Sequence, residues 1–242
     1  MNATANLPRP KALMNWSGGK DSALALHRIR QQNEYDVQSL FTTVNDAFGR
    51  VSMHGVRHEL VQAQADRLGL PLAILTLPEQ TPMAEYARLV ADRLAPLVSA
   101  GVTHSVFGDI FLEDLRQWRE NQLAAMGLTG VFPLWKVDSH TLLEELWTAG
   151  FQTIVVAVNG QVLDRSFCGR VLDRQFVADL PPGVDPCGEN GEFHTFVFAA
   201  PYFSSPVLFR RGQTIERTFS FTDAERQTLT STYFFTDLLP GS

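Results

Sequence analysis

The chain has 242 residues, of which 45% are apolar, 10% aromatic and 19% charged, and its formal net charge is −6. Because nucleic-acid backbones attract clustered Lys and Arg, this acidic balance argues against a nucleic-acid partner. No apolar run approaches the roughly 20 residues that span a bilayer, and two cysteines are too few for a disulfide framework, which together favour the reducing cytoplasm.

The first half of the chain alternates apolar, strand-like segments with amphipathic, helix-like segments. Strands are expected at residues 12–16, 37–44, 72–77 and 102–107, and helices at residues 21–31, 55–68 and 83–100. This alternation predicts a parallel sheet with helices on both faces. In such a sheet, ligands bind beyond the carboxyl ends of the strands, so the loops that follow the strands are the first candidates for a site.

The loop between the first expected strand and the first expected helix is rich in glycine and polar groups. It reads Ser17-Gly18-Gly19-Lys20-Asp21-Ser22 and is called the glycine loop below. Two glycines let the backbone approach an anion, and the amides and dipole at a helix start favour phosphate. Lys20 adds positive charge, whereas Asp21 suits a bound cation. Gly108 and Asp109 follow the fourth expected strand, so they are expected at the same edge of the sheet.

The second half of the chain has a different pattern, and we place a soft domain boundary near residues 132–133. A helix is expected at residues 139–149, and strands at residues 151–158 and 193–199. Residues 207–209 and 215–221 are expected to pair as a hairpin that turns at Arg211-Gly212-Gln213, and residues 238–242 are expected to fray.

A second polar stretch lies between a proline-rich break and an expected strand. It reads Asp185-Pro186-Cys187-Gly188-Glu189-Asn190-Gly191-Glu192-Phe193-His194-Thr195 and is called the polar loop below. Carboxylates, an amide, a thiol and an imidazole are groups that position substrates and transfer protons. Composition alone leaves two interpretations open: a solvated connector whose side chains cap nearby backbone, or part of a site.

Five stretches of the chain form a set. They are residues 17–22, Met53-His54-Gly55-Val56-Arg57, Gly108-Asp109-Ile110 with Glu113-Asp114-Leu115-Arg116, Pro133-Leu134-Trp135, and residues 188–195. In this order they resemble the diphthine–ammonia ligase family, a branch of the ATP pyrophosphatases with a pyrophosphate (PP) loop. The stretches at residues 53–57 and 132–135 are closer to the bacterial branch, which lacks the diphthine residue, so the acceptor stays open.

The resemblance implies a Rossmann-like (HUP-type) sheet with helices on both faces as an ATP-binding PP-loop domain, residues 1–132. It also implies a smaller α+β substrate-binding domain, residues 133–242, with the active site between the two. The implied activity is that of an ATP-dependent ligase, which adenylates a carboxylate, releases pyrophosphate, and transfers ammonia to the acyl group with release of AMP. The expected partners are ATP, Mg²⁺, ammonia or ammonium, and a carboxylate on a small molecule or a protein side chain.

Individual residues receive expected roles from the same comparison of motifs. ATP is expected to contact Ser17, Gly18, Gly19, Lys20, Asp21, Ser22, His54, Gly108 and Asp109, with Mg²⁺ on Asp21 and Asp109. Catalytic roles are expected for Lys20, Asp21, Glu189 and Glu192. The substrate or ammonia is expected to contact Gly188, Glu189, Asn190, Gly191, Glu192 and His194.

Two other functions stay open from the sequence. A tRNA-thiolating ATP pyrophosphatase would share the glycine loop, but such enzymes usually deploy extra cysteines or an RNA-binding module, and this chain has only Cys168 and Cys187. A non-catalytic nucleotide-binding sensor would explain the glycine loop but would leave the polar loop without a function. Pyrophosphate release separates the sensor from both enzymes, and ammonia dependence separates the two enzymes. The sequence does not define the oligomeric state, and a homodimer is one option.

Overall fold

The computed structural model describes residues 8–78, 81–222 and 228–241, and its first half is built on a six-stranded sheet. The strands are β1 (Lys11–Asn15), β2 (Asp36–Asn45), β3 (Arg50–Val51), β4 (Leu72–Leu77), β5 (Val102–Val106) and β6 (Thr129–Val131). Five of them run parallel in the order β4-β2-β1-β5-β6, and β3 pairs antiparallel with the end of β2. The predicted parallel sheet is confirmed, with β3 and β6 as strands that the pattern did not predict.

Helices cover both faces of this sheet because successive residues of a strand point to opposite sides. The helices are α1 (Lys20–Gln32), α2 (His58–Leu68), α3 (Met83–Ser99) and α4 (Glu113–Ala125). Ala12 and Met14 of β1 belong to an apolar cluster with residues of α1 and α2. Leu13 lies in a second cluster with Leu94 of α3 and Leu123 of α4. The first half of the chain therefore has the predicted Rossmann-like layers.

The second half of the chain forms a separate antiparallel sheet with short helices. Its elements are α5 (Ser139–Thr148), β7 (Gln152–Asn159), a 3₁₀ helix (Arg165–Phe167), α6 (Arg174–Ala178), β8 (Phe193–Ala199), β9 (Phe209–Thr222) and β10 (Thr228–Pro240). The strand order is β8-β7-β10-β9, and each pair is antiparallel. Leu142 and Leu146 of α5 share a core cluster with residues of α1. Within the described ranges, no helix combines the length and the apolarity needed to cross a membrane.

The predicted turn at Arg211-Gly212-Gln213 is wrong. Strand β9 runs through these residues, and Arg211 pairs with Leu238 of β10. Gly212 lies opposite an irregularity of β10 between Thr236 and Leu238, in keeping with the tendency of a strand glycine to mark a bulge. Leu238 is only 1% exposed, so the expected fraying is wrong for residues 238–240, which end β10. The turn between β9 and β10 falls outside the described residues.

The two sheets meet at the carboxyl edge of the parallel one. Gln64 of α2 is fully buried there, and its Nε2 donates to the carbonyls of Gly18 at 3.0 Å and of Val197 in β8 at 2.6 Å. The Val197 amide donates to the same Gly18 carbonyl at 2.9 Å. Strand β8, which follows the polar loop, is thereby tied to the glycine loop. The domain boundary at residue 132 stays a prediction.

Candidate active site

The glycine loop connects the end of β1 to the start of α1, and two of its residues have no room for a side chain. Gly18 has a φ of 80°, a left-handed conformation that favours glycine. A Cβ atom on Gly18 would lie 2.8 Å from Gln64 Oε1, and a Cβ atom on Gly19 would lie 2.8 Å from His54 Cε1. The loop therefore needs glycine at both positions, because Gln64 and His54 pack directly against it.

Two amides of the glycine loop have acceptors within the chain. The Gly19 amide donates to the Ser17 hydroxyl at 3.2 Å, and the Lys20 amide donates to the Thr195 hydroxyl at 3.1 Å. Both amides lie at the start of the 13-residue helix α1. Such amides have no acceptor within their own helix, so these hydroxyl oxygens occupy positions in which an anion oxygen could accept the same hydrogen bonds.

The segment after β5 packs on the glycine loop. A Cβ atom on Gly108 would lie 2.6 Å from the carbonyl carbon of Asp21, so the two backbones are in contact at one edge of the sheet. Asp109 faces helix α4 instead, where its Oδ2 accepts from Arg119 Nε at 2.6 Å. The Arg119 guanidinium also lies 4.6 Å from the centroid of the Phe107 ring. Asp109 thus sits beside the glycine loop as one half of an ion pair.

Lys20 points into the protein and not towards open solvent. Its side chain is 4% exposed, and Nζ donates to Asp21 Oδ2 at 2.8 Å and to the Cys187 carbonyl. The ammonium lies 5.6 Å from the centroid of the Phe193 ring. Burial by itself lowers the pKa of Lys20, but neighbouring negative charges, Asp21 first, outweigh that effect, and the pKa is raised. Lys20 therefore links the glycine loop to the polar loop.

The polar loop is held in shape by its own side chains. Asp185 accepts from Ser139 Oγ at 2.6 Å and from the Glu189 amide at 2.9 Å. Glu192 is 5% exposed, and its Oε1 accepts from the Asp185 amide at 3.1 Å and from Asn190 Nδ2 at 3.0 Å. The other oxygen of Glu192 is buried with no hydrogen-bond partner among the described residues. Glu192 thus organises the loop and keeps one buried acceptor open.

Glu189 reaches from the polar loop to the segment after β5. Its Oε1 accepts a hydrogen bond from the Ile110 amide at 2.7 Å. Burial, with the nearby negative charge of Asp21, raises the pKa of Glu189 to about 7. A carboxyl group with this pKa exchanges protons near neutral pH, as a general acid or base must.

Two histidines from different halves of the chain stack beside the glycine loop. The ring centroids of His54 and His194 are 4.7 Å apart, and the rings are tilted by 37°. His54 Nδ1 lies 3.2 Å from the Thr195 carbonyl oxygen, which assigns the proton to Nδ1 because a carbonyl only accepts. Burial lowers the pKa of His54 to about 4 and holds the pKa of His194 well below its usual value. Both rings are neutral at pH 7, and His194 Nε2 is buried without a partner in the described part of the chain.

A groove of about 610 Å³ opens beside the histidine pair, and His194 lines it. The β2–β3 turn, the end of β4 with the start of α3, and the β9–β10 hairpin form its walls. We call it the aromatic groove, after the lining residues Phe48, Tyr86, Phe219, Tyr233 and Phe235. This groove was not predicted from the sequence, because its walls come from distant segments that each have the pattern of an ordinary strand or turn. The alternating aromatics of β10 were the signal that could have indicated it.

A metal ion would have to rely on few protein ligands. Among the described residues, no group of three or more His, Cys, Asp or Glu side chains is arranged to hold one. Asp21 pairs with Lys20, and Asp109 pairs with Arg119. Burial nevertheless raises the pKa of Asp21, because Lys20 compensates its charge only in part. A site with only these two carboxylates fits Mg²⁺, which takes one or two carboxylates and completes its coordination shell with phosphate and water oxygens.

Cys187 is buried and Cys168 is half-buried, and neither thiol is an activated nucleophile. Cys187 is 2% exposed, and its Sγ lies 3.5 Å from the Ser139 carbonyl oxygen. Burial raises the pKa of Cys187 to about 12 and also raises the pKa of Cys168. Because the thiolate is the reactive form, neither side chain is poised for sulfur transfer near neutral pH.

Most of the residues expected in the site lie close together. The glycine loop, His54, Gly108, Glu189 and His194 surround one edge of the parallel sheet. Asp109 is adjacent but turned to Arg119, and Asn190 with Glu192 bonds within the polar loop. The stacking of the two histidines was not predicted, because the sequence shows two separate loops and no link between them.

A Rossmann-like sheet with a glycine loop of this sequence at its carboxyl edge fits the PP-loop class of protein. The sequence profile described as "Diphthamide synthase N-terminal domain" matches residues 10–129, and the profile described as "Diphthamide synthase C-terminal domain" matches residues 138–226. Together they cover both halves of the site. The chain belongs to the diphthamide synthase, or diphthine–ammonia ligase, family.

Several curated relatives are named diphthine–ammonia ligase. The protein of Danio rerio is 25% identical over 219 residues, which cover 82% of this chain and 86% of that protein. The protein of Homo sapiens is 27% identical over 168 residues, 63% of each. The match to the protein of Schizosaccharomyces pombe is 28% identical over 101 residues and covers 40% of this chain but 17% of that protein.

Proposed function

We propose that the protein is an ATP-dependent ligase that adenylates a carboxylate, with AMP and pyrophosphate as products of ATP, and transfers ammonia to the activated acyl group. One observation carries the proposal: Lys20 joins the two motif loops twice, through its amide to Thr195 Oγ1 at 3.1 Å and through its ammonium to the Cys187 carbonyl. Phosphate-binding and proton-transferring groups are thereby held at one site, which adenylation followed by amide formation requires.

The pyrophosphate end of ATP binds, in this proposal, at the start of α1. The amides of residues 17–22 donate to phosphate oxygens, and the Ser17, Ser22 and Thr195 hydroxyls exchange their present partners for the ligand. The buried ammonium of Lys20 adds positive charge from behind the loop. His54 and Gly108 flank the nucleotide on either side. Asp21 and Asp109 would hold Mg²⁺ with the phosphates, and that ion would supply charge compensation for the departing pyrophosphate.

Adenylation then proceeds by one substitution at phosphorus. An oxygen of the acceptor carboxylate attacks the α-phosphorus, the bond from that phosphorus to the bridging oxygen breaks, and pyrophosphate leaves. Once the amides at the start of α1 have exchanged their hydroxyl partners for the phosphates, they stabilise the charge that develops on pyrophosphate, and the Lys20 charge behind the loop adds to this effect. Residues 1–132 carry this half of the reaction.

Amide formation needs a base, because ammonium has no free electron pair until it loses a proton. Glu189 has a pKa of about 7 and can accept that proton. The ammonia nitrogen then attacks the acyl carbon, the bond between that carbon and the AMP oxygen breaks, and AMP leaves. The nitrogen releases one further proton to water and so becomes a neutral amide. Residues 133–242 supply the polar loop for this half of the reaction.

The remaining polar-loop residues position the acceptor. Glu192 Oε2 and His194 Nε2 are buried polar atoms without partners among the described residues, and such atoms usually find a ligand or a water. Asn190 is oriented by Glu192, and the backbones of Gly188 and Gly191 allow the loop to pass close to the substrate. No observation favours thiolation, since burial raises the pKa of buried Cys187 and of half-buried Cys168.

A matched pair of glycine variants tests the site. Gly18 and Gly127 both have a positive φ, 80° and 70°, but a Cβ atom on Gly127 meets nothing within 4 Å. The two alanine variants therefore share the backbone strain, and only Gly18→Ala obstructs the glycine loop. We expect Gly18→Ala to lose ATP binding in calorimetry and at least about tenfold in pyrophosphate release, while Gly127→Ala keeps both. Equal behaviour of the two variants would contradict the proposal.

A further inference from the structure

The aromatic groove has a surface that the folded chain alone does not explain. Among the described residues, eight large apolar side chains are strongly exposed, and four of them line this groove. They are Phe48 at 43%, Met53 at 70%, Ile215 at 39% and Phe219 at 42% exposed. A cluster of exposed apolar side chains around a concavity usually marks a binding site. The volume of about 610 Å³ suits a small molecule.

Charged residues line the groove together with the aromatic ones. Arg50 and Arg57 both bind Asp237, with Arg50 Nη2 and Arg57 Nη2 each 2.8 Å from one of its carboxylate oxygens. The Arg217 guanidinium lies 4.2 Å from the centroid of the Phe48 ring, across from β9 to the β2–β3 turn. Of these, Arg50, Arg217 and Asp237 line the groove, which leaves its lining with one net positive charge. That charge complements a ligand with an apolar body and a single negative group.

The inner end of the groove leads to the glycine loop. His194 lines the groove, its ring stacks on His54, and His54 Cε1 lies where a Cβ atom on Gly19 would be 2.8 Å away. A molecule in the groove therefore has one end next to the histidine pair.

We propose that the aromatic groove binds the acceptor, and that the acceptor is a small monocarboxylic acid with an aromatic or branched apolar body. Its body lies among Phe48, Phe219, Tyr233 and Phe235, and its carboxylate faces His194 and the glycine loop. This inference rests on the proposed ligase function and names the substrate class for it. A dicarboxylate such as succinate or glutamate would bring two negative carboxylates to a lining with one net positive charge, so one of them would lack a counter-charge.

Binding measurements on the whole protein test the inference. The protein, saturated with an ATP analogue whose α,β-bridge is a methylene group, is titrated with 3-phenylpropanoate, 4-methylpentanoate, succinate and glutamate. We expect the first two acids to bind at least about tenfold more tightly than the last two. Equal affinities for the four acids would overturn the inference. Displacement of 3-phenylpropanoate by the ATP analogue would also overturn it, because the groove would then be the binding site of the nucleotide.

A charge variant with a matched control locates the binding. Phe219→Glu places a carboxylate in the groove, whereas Leu208→Glu changes a side chain that is 57% exposed and does not line it. We expect Phe219→Glu to weaken 3-phenylpropanoate binding by at least about tenfold and Leu208→Glu to leave it unchanged. Unchanged binding in Phe219→Glu would overturn the inference. So would sedimentation that shows a dimer dissociated by Phe219→Glu, since the groove would then be an interface between two copies.

Turnover with ammonium separates this inference from the function on which it rests. If the apolar acids bind in the groove and no acid yields AMP and pyrophosphate, the ligase proposal fails and the acid-binding groove stands. If succinate or glutamate supports turnover and the apolar acids do not, the ligase proposal stands and the substrate class is wrong.

Discussion

At the scale of single residues, Glu189 carries the chemistry that distinguishes a ligase from a nucleotide-binding protein. Its carboxyl group accepts from the Ile110 amide and lies near Asp21, and its pKa of about 7 follows from burial and that neighbouring charge. A group of this kind is needed only if the nitrogen donor arrives protonated. A comparison of protonated and unprotonated nitrogen nucleophiles therefore shows whether Glu189 acts as a base.

Replacement of the nucleophile tests Glu189 as the base. Glu189→Gln is expected to slow turnover with ammonium by about 10²- to 10⁴-fold, because the base is lost. Hydroxylamine is largely unprotonated at neutral pH, so turnover of the variant with hydroxylamine should stay close to that of the wild type. The measurement is pyrophosphate release with each nucleophile. An equal loss with both nucleophiles would show that Glu189 does not act as the base.

The same substitution has a pH-dependent effect on stability. The pKa of Glu189 is about 7 in the folded protein and ordinarily 4.5, so the unfolded chain binds fewer protons between these values and stability falls as pH rises. Glu189→Gln removes this cost and is expected to gain about 1–2 kcal/mol relative to the wild type between pH 5 and pH 8. Urea unfolding measures it, with the exposed Glu34→Gln as control. A gain that does not change with pH would contradict the burial account.

At the scale of elements, Asp237 links β10 to the first half of the chain through ion pairs. It accepts from Arg50 of β3 and from Arg57, which precedes α2, and its side chain is 21% exposed. Burial alone would raise the pKa of Asp237, but the hydrogen bonds from the two arginines outweigh it, and the pKa is held below its usual value. This carboxylate fixes one wall of the aromatic groove.

Loss of this carboxylate should loosen the hairpin. Asp237→Asn is expected to lower the free energy of unfolding by about 1–3 kcal/mol at pH 7, because two guanidinium groups lose their counter-charge. A lowered pKa stabilises above the unfolded value of 3.8, so the difference should shrink as pH falls below it. Asp92→Asn removes an exposed ion pair with Arg88 and should cost less than about 0.5 kcal/mol. Equal costs for the two variants would contradict this assignment.

The elements that carry the site were largely predictable because they are local patterns. Strand β8 has the bounds expected for it, 193–199, and the glycine loop joins β1 to α1 as expected. The turn predicted at Gly212 was wrong. A glycine between apolar segments predicts a turn, but the long pairing of β9 with β10 overrides that local preference.

Contacts between distant segments could not be predicted from one sequence. Lys20 was expected to face phosphate, and its partner, the Cys187 carbonyl, is 167 positions away. His54 likewise meets Thr195 across 141 positions. Neither contact produces a periodic pattern in the sequence, because each depends on how the two sheets pack against each other.

At the scale of the whole molecule, the histidine pair makes the contact between the two halves sensitive to acid. The folded pKa of His54 is about 4 and its ordinary value is 6.5, so its contribution to stability is complete above pH 6.5 and is lost as pH falls towards 4. Between pH 7 and pH 4, the wild type should lose about 2–3 kcal/mol more than His54→Asn, whose amide can replace the Nδ1 donor. His140→Asn, at an exposed position, is the control. Parallel pH profiles of wild type and His54→Asn would contradict the account.

The most direct test of the ligase proposal is phosphorus NMR of the products formed from ATP with Mg²⁺, ammonium and 3-phenylpropanoate. The account predicts AMP and pyrophosphate in equal amounts, with little of either when the acid or ammonium is left out. ADP with inorganic phosphate, or AMP and pyrophosphate formed equally well without the acid, would contradict it.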